Sequence, residues 1–426
     1  LRNAGVAGYQ NLEAEYELFF GPAGTAIKFT DYLGLSSMQA RPSEKVTLDL
    51  LNALYDDSEQ NDRNAELNLE LTLGFKGKPN IGSVVFHELR STPELQKFFA
   101  TYNAANGDRV FIVSSIFGGT GSSGFPEIVN AIRTHQNPNV RDAIIGAVVV
   151  LPYFKLGMPD PSTGDTGAVD AGSFASKSVA ALTYYHNSLN NKINSLYYVG
   201  DENVDAYDYS EGSTRQENRA HVVEFVAATS IIDFMKKNVT SADHHALEYG
   251  IKEERKDEAI KLDDFYNVSK NNYLDNLSEF TLAVKYYRDV ICGDRNKIKS
   301  SAAFYSQNAF ALSGKLGKDV FKFFDEFIDA DYREGQKGHW GFYPWLDEMI
   351  NHDHKLHLYN VDKTLKINDI LAHKIIKGGM FSSPLTSDDN ITSCMNKKSH
   401  QLPNYDDKAF FKTLREVARE IYNEVK

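Results

Sequence analysis

The chain of 426 residues is longer than the roughly 250–300 residues that one hydrophobic core supports, so its length predicts two domains. Its net charge of −12 argues against nucleic acid as a partner. The two cysteines, Cys292 and Cys394, form no CxxC pattern, which argues against a disulfide framework and favours a cytoplasmic location. The longest apolar stretch, 143–151, is shorter than the ~20 residues that cross a bilayer, so no membrane span is expected.

The first part of the chain predicts a strand between two helices. Residues 44–55 carry apolar side chains at helical spacing and predict an amphipathic helix. Leucines and a phenylalanine alternate strictly with polar residues over 67–75, which predicts a strand with one face in water. A second helix is predicted over 94–102, after Thr92 and Pro93. The apolar stripe of the first helix consists of Val46, Leu50, Leu51 and Leu54.

An apolar run at 110–113 continues directly into glycine and hydroxyl residues. The run is typical of a strand buried on both faces of a parallel sheet. Glycines lack a Cβ, so their backbone amides can approach an anion closely, and the hydroxyls add donors. Pro126 and Glu127 suit the first turn of a helix whose N-terminus would face that anion. The segment predicts a phosphate-binding loop, with a tight strand-to-helix connection as the alternative. The candidate phosphate ligands are Gly118, Gly119, Thr120, Gly121, Ser122 and Ser123.

The rest of the chain predicts further helices. Helical patterns cover 174–187 and 218–236, and residues 157–172, which precede the first of them, indicate a long exposed loop. Residues 406–425 predict an amphipathic helix that docks on a neighbouring surface. The histidines of segment 351–357 fit a metal site poorly in either helical or strand geometry, so they are interpreted as surface residues and no metal site is predicted.

The glycine loop carries a family resemblance. FGGTGSS at 117–123 resembles the GGGTG[ST]G signature loop of the tubulin/FtsZ superfamily, with Phe117 in place of the first glycine. AVVVLPYF at 147–154 and SLYYVGDEN at 195–203 look like that family's next strands with their sugar-contacting loops, and 215–236 looks like its core helix. Phrases such as FTDYLGLSS and GFKGKPNIGSVV look like a poorly characterised bacterial group of tubulin-like proteins.

The resemblance implies an α/β fold of a particular kind. A Rossmann-type parallel sheet with flanking helices and a core helix would form a nucleotide-binding domain over 1–236. A second α+β domain with a helical C-terminus would occupy 237–426. Residues 1–28 lack the family's first strand and GxGGxG loop, so we expect the natural N-terminus to be missing from this sequence. Loss of half of the phosphate site is the alternative.

The resemblance also implies a ligand. GTP or GDP is the implied nucleotide, with ATP as an open alternative and Mg²⁺ as an accompanying ion. The glycine loop would hold the phosphates. Beyond that loop, the implied contacts are Pro152, Tyr153 and Phe154 at the ribose, Asp201 and Asn203 nearby, and Asn218 facing the base.

The sequence indicates catalytic residues and a mode of assembly less clearly than it indicates a phosphate-binding loop. Polymerising relatives carry carboxylates after the core helix that activate water in the neighbouring subunit's site. Residues 240–254 do not reproduce that pattern and leave Asp243 and Glu248 as stand-ins. One hypothesis is therefore a bacterial, tubulin-like GTP-binding protein that assembles head to tail with weak GTPase activity. The other is a non-catalytic tubulin-fold scaffold in a multi-protein system, favoured by Phe117 and the missing carboxylates. Protein partners or self-association are expected in both.

Overall fold

The computed structural model of the chain divides it into two compact units. The first consists of Leu1–Asn218 and Val226–Gly250, and the second of Arg219–Phe225 and Ile251–Lys426. The first unit thus extends past Lys236, where the sequence predicts the domain boundary. The residues that the structure describes are 27–39, 42–55, 66–71, 74–75, 77–156, 172–201, 206–207, 218–249, 258, 260–261, 273–287, 332–333, 336–337, 341–352, 356–357, 388–399 and 409–425.

Short and long strands alternate with helices along the described chain. The strands are β1 (Val110–Ser115), β2 (Ile145–Val150), β3 (Lys155–Leu156), β4 (Ser195–Val199), β5 (Ala206–Tyr207), β6 (His245–Tyr249), β7 (Ile260–Lys261), β8 (Tyr332–Arg333), β9 (Gln336–Lys337) and β10 (Leu356–His357). The α-helices are α1 (Phe29–Leu33), α2 (Leu35–Gln39), α3 (Lys45–Leu54), α4 (Pro79–His87), α5 (Pro93–Thr101), α6 (Gly119–Arg133), α7 (Pro138–Arg141), α8 (Gly172–Leu189), α9 (Val222–Lys236), α10 (Tyr273–Tyr286), α11 (Phe342–Asn351), α12 (Asp388–Ser399) and α13 (Ala409–Val425).

A four-stranded parallel sheet in the order β1-β2-β4-β6 organises the first unit. In its register Val110 lies opposite Ile145, Gly146 opposite Ser195, and Ser195 opposite His245. Because the strands are parallel, their C-terminal ends meet at one edge of the sheet, which we call the carboxyl edge, and their N-terminal ends meet at the amino edge. The sheet and its helices confirm the predicted α/β class.

Each face of this sheet is covered by helices, as parallel sheets require. On one face, α6 and α8 pack against alternate residues of β1 and β2 in a cluster that includes Phe125, Val129, Ile145, Ala147 and Val149. On the other face, the end of α9 contributes Phe234, whose ring centroid lies 5.4 Å from that of Phe111. A Cβ on Gly146 would lie 2.8 Å from the Phe234 ring, so the absence of a side chain at this position lets α9 pack closely against the sheet.

The region before β1 differs in part from the prediction. The helix predicted over 44–55 is present as α3, but Val46, Leu50 and Leu54 are exposed instead of buried. The strand predicted over 67–75 is wrong: a 3₁₀ turn covers Glu66–Asn68, and the nearest pairing is one isolated bridge between Lys28 and Glu70. The alternation of the leucines nevertheless corresponds to burial, because their side chains form a small core with Phe29. Its members from this segment are Leu67, Leu69, Leu71 and Phe75.

The second unit is described mainly by four helices, α10 to α13. The amphipathic helix predicted at the C-terminus is confirmed as α13, which buries Phe410, Leu414, Val417 and Ile421. It lies beside α10, where Arg419 forms an ion pair with Glu279 at 3.1 Å between Nε and Oε2. Among the described helices, none is both long enough and apolar enough to cross a membrane.

Candidate functional site

The glycine-rich segment forms the first turns of α6, which follows β1. The prediction of a loop here, with the helix beginning at Pro126, is wrong, because Pro126 lies inside the helix. Gly118 is the N-cap residue, with an extended backbone at φ −86° and ψ 158°. The first bond within the helix runs from the Ser122 amide to the Gly118 carbonyl at 3.3 Å. The amides of Gly119, Thr120 and Gly121 precede this bond and point out of the helix end, where the helix dipole also favours an anion. The helix therefore presents three backbone donors at the carboxyl edge.

Two of these glycines are also required by packing. A Cβ on Gly121 would lie 2.6 Å from the Ser115 carbonyl oxygen and 2.9 Å from the Ser114 hydroxyl. A Cβ on Gly119 would lie 2.8 Å from the Phe75 Cβ. The close approach of α6 to β1 and to the segment before α4 thus explains both glycines, whether or not the helix end binds a ligand.

The hydroxyls of this turn differ in what they can do. The Ser122 hydroxyl donates to the Gly118 carbonyl, and the Ser123 hydroxyl donates to the Gly119 carbonyl at 2.6 Å, so both satisfy the helix itself. Both serines are buried. Thr120 is exposed, which leaves its hydroxyl as the accessible one of the three predicted donors.

Tyr185 of α8 contacts the first turns of α6. Its hydroxyl donates to the Ser122 carbonyl at 2.9 Å, and burial raises the pKa of Tyr185 far above its usual range. The hydroxyl consequently stays protonated and acts as a donor throughout the physiological pH range. Tyr185 also packs edge-on against Phe125, with 5.1 Å between ring centroids. The first two turns of α6 are therefore fixed from the side of α8.

A second glycine turn, at 74–78, borders the same helix end and was not predicted from the sequence. Gly74 and Gly77 have positive φ angles of 74° and 71°. The Gly77 and Lys78 amide nitrogens lie 3.0 Å from the place that a Gly119 Cβ would occupy, and Thr120 Oγ1 lies 3.3 Å from a Gly74 Cβ. The signal in the sequence is Gly-Phe-Lys-Gly-Lys-Pro, in which glycines flank a lysine and a proline begins a helix.

Helix α4, which follows this turn, runs parallel to α6. A Cβ on Gly82 would overlap the Ser123 hydroxyl, and one on Gly124 would lie 3.1 Å from the Phe86 ring. Farther along, Arg90 lies 3.6 Å from the Glu127 carboxylate. Contacts therefore advance in the same direction along both helices, so their N-termini lie side by side. Two parallel helix dipoles at one place repel each other, and an anion there would relieve that repulsion.

The loops after β1 and β2 meet at the carboxyl edge. Phe117, at the position where the resemblance expects glycine, is buried and packs edge-on against Phe154 at 5.5 Å and Tyr153 at 6.3 Å between ring centroids. Phe154 in turn lies 5.8 Å from the Tyr207 ring of β5. The structure thus brings the predicted residues Tyr153 and Phe154 next to the residue that precedes the glycine helix.

The remaining predicted nucleotide contacts are only partly placed. Pro152 lies in the same loop as Tyr153 and is half-buried. Asp201 follows Gly200, whose Cβ would lie 2.8 Å from the Leu151 Cβ, so the ends of β2 and β4 are close together. Asn218 is half-buried shortly before α9, and Asn203 lies outside the described residues.

The two candidate carboxylates lie at different edges of the sheet, Asp243 before β6 and Glu248 near the carboxyl end of that strand. Asp243 precedes β6 at the amino edge, where its carboxylate accepts hydrogen bonds from the Thr240 amide at 2.7 Å and the Thr240 hydroxyl at 2.8 Å. These two bonds hold the pKa of Asp243 below its usual range. Glu248 lies within β6 opposite Tyr198, and its side chain is outside the described residues. Asp243 is therefore separated by the length of the strands from the glycine helix of its own chain.

Within the histidine-rich segment 351–357, the structure describes the side chain of His352. The prediction that this histidine lies at the surface is wrong. His352 is 6% exposed and packs edge-on against His221, with 4.3 Å between ring centroids. It ends α11, which folds against the segment that carries His221. His354 lies outside the described residues. Within the described ranges, no group of three or more His, Cys, Asp and Glu side chains has the arrangement of a metal site.

Comparisons with known proteins do not extend the resemblance seen in the sequence. No protein-family model, no curated protein and no solved structure matches this chain.

Proposed function

We propose that the first unit binds a nucleotide, GTP or GDP by preference, with its phosphates at the N-terminus of α6. The observation that carries this proposal is the pair of parallel helix ends at the carboxyl edge, where the amides of Gly119, Thr120 and Gly121 precede the first bond of α6. Helix N-termini are ready anion sites, and ligands of parallel α/β sheets bind outside the carboxyl ends of the strands.

The preference for guanine comes from the sequence resemblance to the tubulin/FtsZ superfamily. The nearby aromatic side chains support a nucleoside as well as a phosphate, because Tyr153 and Phe154 offer ring surface beside the glycine helix. ATP remains the alternative ligand, and Mg²⁺ would accompany the phosphates of either triphosphate.

Substitution of Thr120 by glutamate tests the phosphate position directly. The exposed side chain of residue 120 lies in the first turn of α6, where a carboxylate interacts favourably with the helix dipole and stabilises the fold by about 0.5 kcal/mol. The same carboxylate would occupy the anion position and repel phosphate. We therefore expect Thr120→Glu to raise the Tm slightly and to weaken GTP binding at least about tenfold in titration calorimetry.

A matched control places the same charge away from the site. Gln136 is exposed beyond the C-terminal end of α6, so Gln136→Glu should leave the Kd for GTP unchanged. Both variants are titrated with GTP, GDP and ATP after removal of any bound nucleotide. Unchanged affinity in a folded Thr120→Glu variant would place the phosphates elsewhere, and absence of all nucleotide binding in the unmodified chain would end the proposal.

Head-to-tail assembly with weak GTP hydrolysis is part of this proposal. Asp243 lies at the amino edge and the glycine helix at the carboxyl edge, so Asp243 can approach a nucleotide only across a junction between two copies. Hydrolysis would then depend on protein concentration. Sedimentation with and without GTP measures the assembly, and phosphate release at several protein concentrations measures the hydrolysis.

The second candidate function is an interaction scaffold that does not hydrolyse nucleotide. One observation favours it: α3 exposes Val46, Leu50 and Leu54 by 81%, 57% and 59%, and their spacing of four residues puts them on one side of the helix. Leu50→Glu would charge this stripe without touching the glycine helix. A scaffold predicts that this variant changes self-association in analytical ultracentrifugation while the affinity for GTP stays the same.

A further inference from the structure

The second unit contains an apolar cavity between α10 and α13. Its volume is about 350 Å³, within the range of small-molecule sites. Phe280 of α10 and Phe411 of α13 line it and remain 44% and 38% exposed, although both are large apolar side chains. The other lining residues are Asn276, Ala283, Val284, Tyr287, Leu414 and Arg415.

Arg415 is the cation of this lining. Its Nη2 donates to the Asn276 side-chain oxygen at 3.4 Å, and among the described residues no carboxylate lies within ion-pair distance of its guanidinium. The neighbouring arginine differs, because Arg419 is paired with the buried carboxylate of Glu279. The cavity thus combines an apolar wall with one positive charge that has no carboxylate partner in the described part of the chain.

We propose that this cavity binds a small amphipathic monocarboxylate, with the carboxylate on Arg415 and the apolar body between Phe280, Val284 and Leu414. An arginine binds a carboxylate through two parallel hydrogen bonds, and the apolar wall gains free energy when it is covered by the apolar chain of the ligand. The side-chain oxygen of Asn276 accepts a hydrogen bond from the guanidinium and helps to orient it.

The volume sets the size of the ligand. At roughly 30 Å³ for each group of the size of a water molecule, the cavity holds about ten methylene-sized groups. Decanoate, with one carboxylate and an unbranched apolar chain, therefore matches both the charge and the volume. A docked protein helix would fit less well, because a protein interface usually buries about 800 Å² on each partner, far more than eight lining residues offer.

Titration calorimetry on the full chain, with decanoate below its micelle concentration, tests this inference. We expect one decanoate per chain, and affinity that rises roughly fourfold for each methylene from hexanoate to decanoate and then levels off. Decanol, with the same body and no charge, should bind about tenfold more weakly, and decylamine should not bind measurably. Absence of decanoate binding, or equal binding of decylamine, would overturn the inference.

Three variants locate the ligand. Arg415→Gln should weaken decanoate about tenfold while leaving decanol unchanged, since only the charge interaction is removed. Ala283→Phe should fill the cavity and abolish both, with Phe411→Ala as a second variant if the larger side chain lowers the Tm. Lys412→Gln removes an exposed cation of the same helix outside the cavity and should change neither affinity. Unaltered decanoate binding in a folded Arg415→Gln variant would contradict the assignment.

Discussion

The two edges of the sheet in the first unit use backbone polar groups in opposite ways. At the amino edge, half-buried arginines bind the backbone of several elements. Arg133 donates to the carbonyls of Lys192, Arg141 and Ala143, and Arg109 donates to those of Phe234 and Lys237. At the carboxyl edge, the first amides of α6 point outward from the helix end. One edge is held by internal hydrogen bonds, and the other presents the backbone donors to which we assign the proposed phosphates.

This contrast predicts different effects for substitutions at the two edges. Removal of a buried donor that already has an internal partner destabilises the fold, because the partner is left without a hydrogen bond. Alteration of a donor that faces outward should change the free energy of unfolding little. It should weaken the binding of a ligand at that donor much more. Substitutions at the amino edge should therefore change unfolding free energies, and those at the accessible part of the carboxyl edge should change dissociation constants.

Asn194 gives the largest expected effect at the amino edge. This fully buried amide accepts from the Ile145 amide at 2.8 Å and from Arg133 at 3.2 Å, and it donates to the carbonyls of the segment before β6. We expect Asn194→Ala to lower the free energy of unfolding by about 3 kcal/mol, since several buried partners lose their bonds at once. Urea denaturation measures the change.

Two results make the Asn194 experiment decisive. Asn190→Ala, at an exposed position before β4, should change the free energy of unfolding by less than about 0.5 kcal/mol. The fraction of Asn194→Ala molecules that remains folded should keep its affinity for GTP. A loss of less than about 1 kcal/mol would mean that the amino edge is not locked by this side chain.

Gly121 and Gly118 differ in how tightly they are packed within the glycine segment. Because a Cβ on Gly121 meets the Ser115 backbone at 2.6 Å, Gly121→Ala should cost about 2 kcal/mol. A Cβ on Gly118 meets only the Ser115 hydroxyl at 3.2 Å, so Gly118→Ala should cost about 0.5 kcal/mol. Thermal unfolding of the two variants compares them, and equal losses of stability would contradict the packing role of Gly121.

Local sequence patterns predicted the centre of this fold well. The apolar run at 110–113 and the residues after it correctly predicted a strand followed by a helix, because both are specified by adjacent residues. The predicted burial of the strand on both faces is wrong, since β1 lies at the edge of the described sheet and Val113 is 58% exposed. Helices α5 and α8 likewise lie within a few residues of their predicted positions. Thr92, which precedes α5, is its N-cap, since its hydroxyl accepts from the Leu95 amide at 3.4 Å.

Features that depend on distant partners were not predicted. The turn at 74–78 reaches the candidate site only because Gly82 lets α4 pack against Ser123, a contact between residues far apart in the chain. The leucines at 67–71 were correctly expected to alternate in burial, yet alternation alone does not supply a strand to pair with. For α3, helical spacing predicted an apolar stripe but could not tell whether the protein's own core covers it.

Asp243 gives the smallest expected effect on stability and tests both edges together. Its two hydrogen bonds from Thr240 favour the ionised carboxylate in the folded chain, so the pKa lies below the usual value of 3.8. The stabilisation is therefore fully present above about pH 5 and is lost as the pH falls through the folded pKa. The Tm of Asp243→Ala should be slightly below that of the unmodified chain at pH 7, and the difference should shrink as the pH falls through the folded pKa.

The same variant distinguishes a structural carboxylate from one that also serves a neighbouring copy. A structural role alone predicts that Asp243→Ala keeps the rate of phosphate release from GTP at pH 7, because the amino edge does not reach the nucleotide of its own chain. Head-to-tail assembly predicts at least a tenfold loss of that rate with unchanged GTP affinity. It also predicts partial recovery when Asp243→Ala is mixed with Thr120→Glu, because a Thr120→Glu chain can offer an intact Asp243 to the nucleotide of an Asp243→Ala chain.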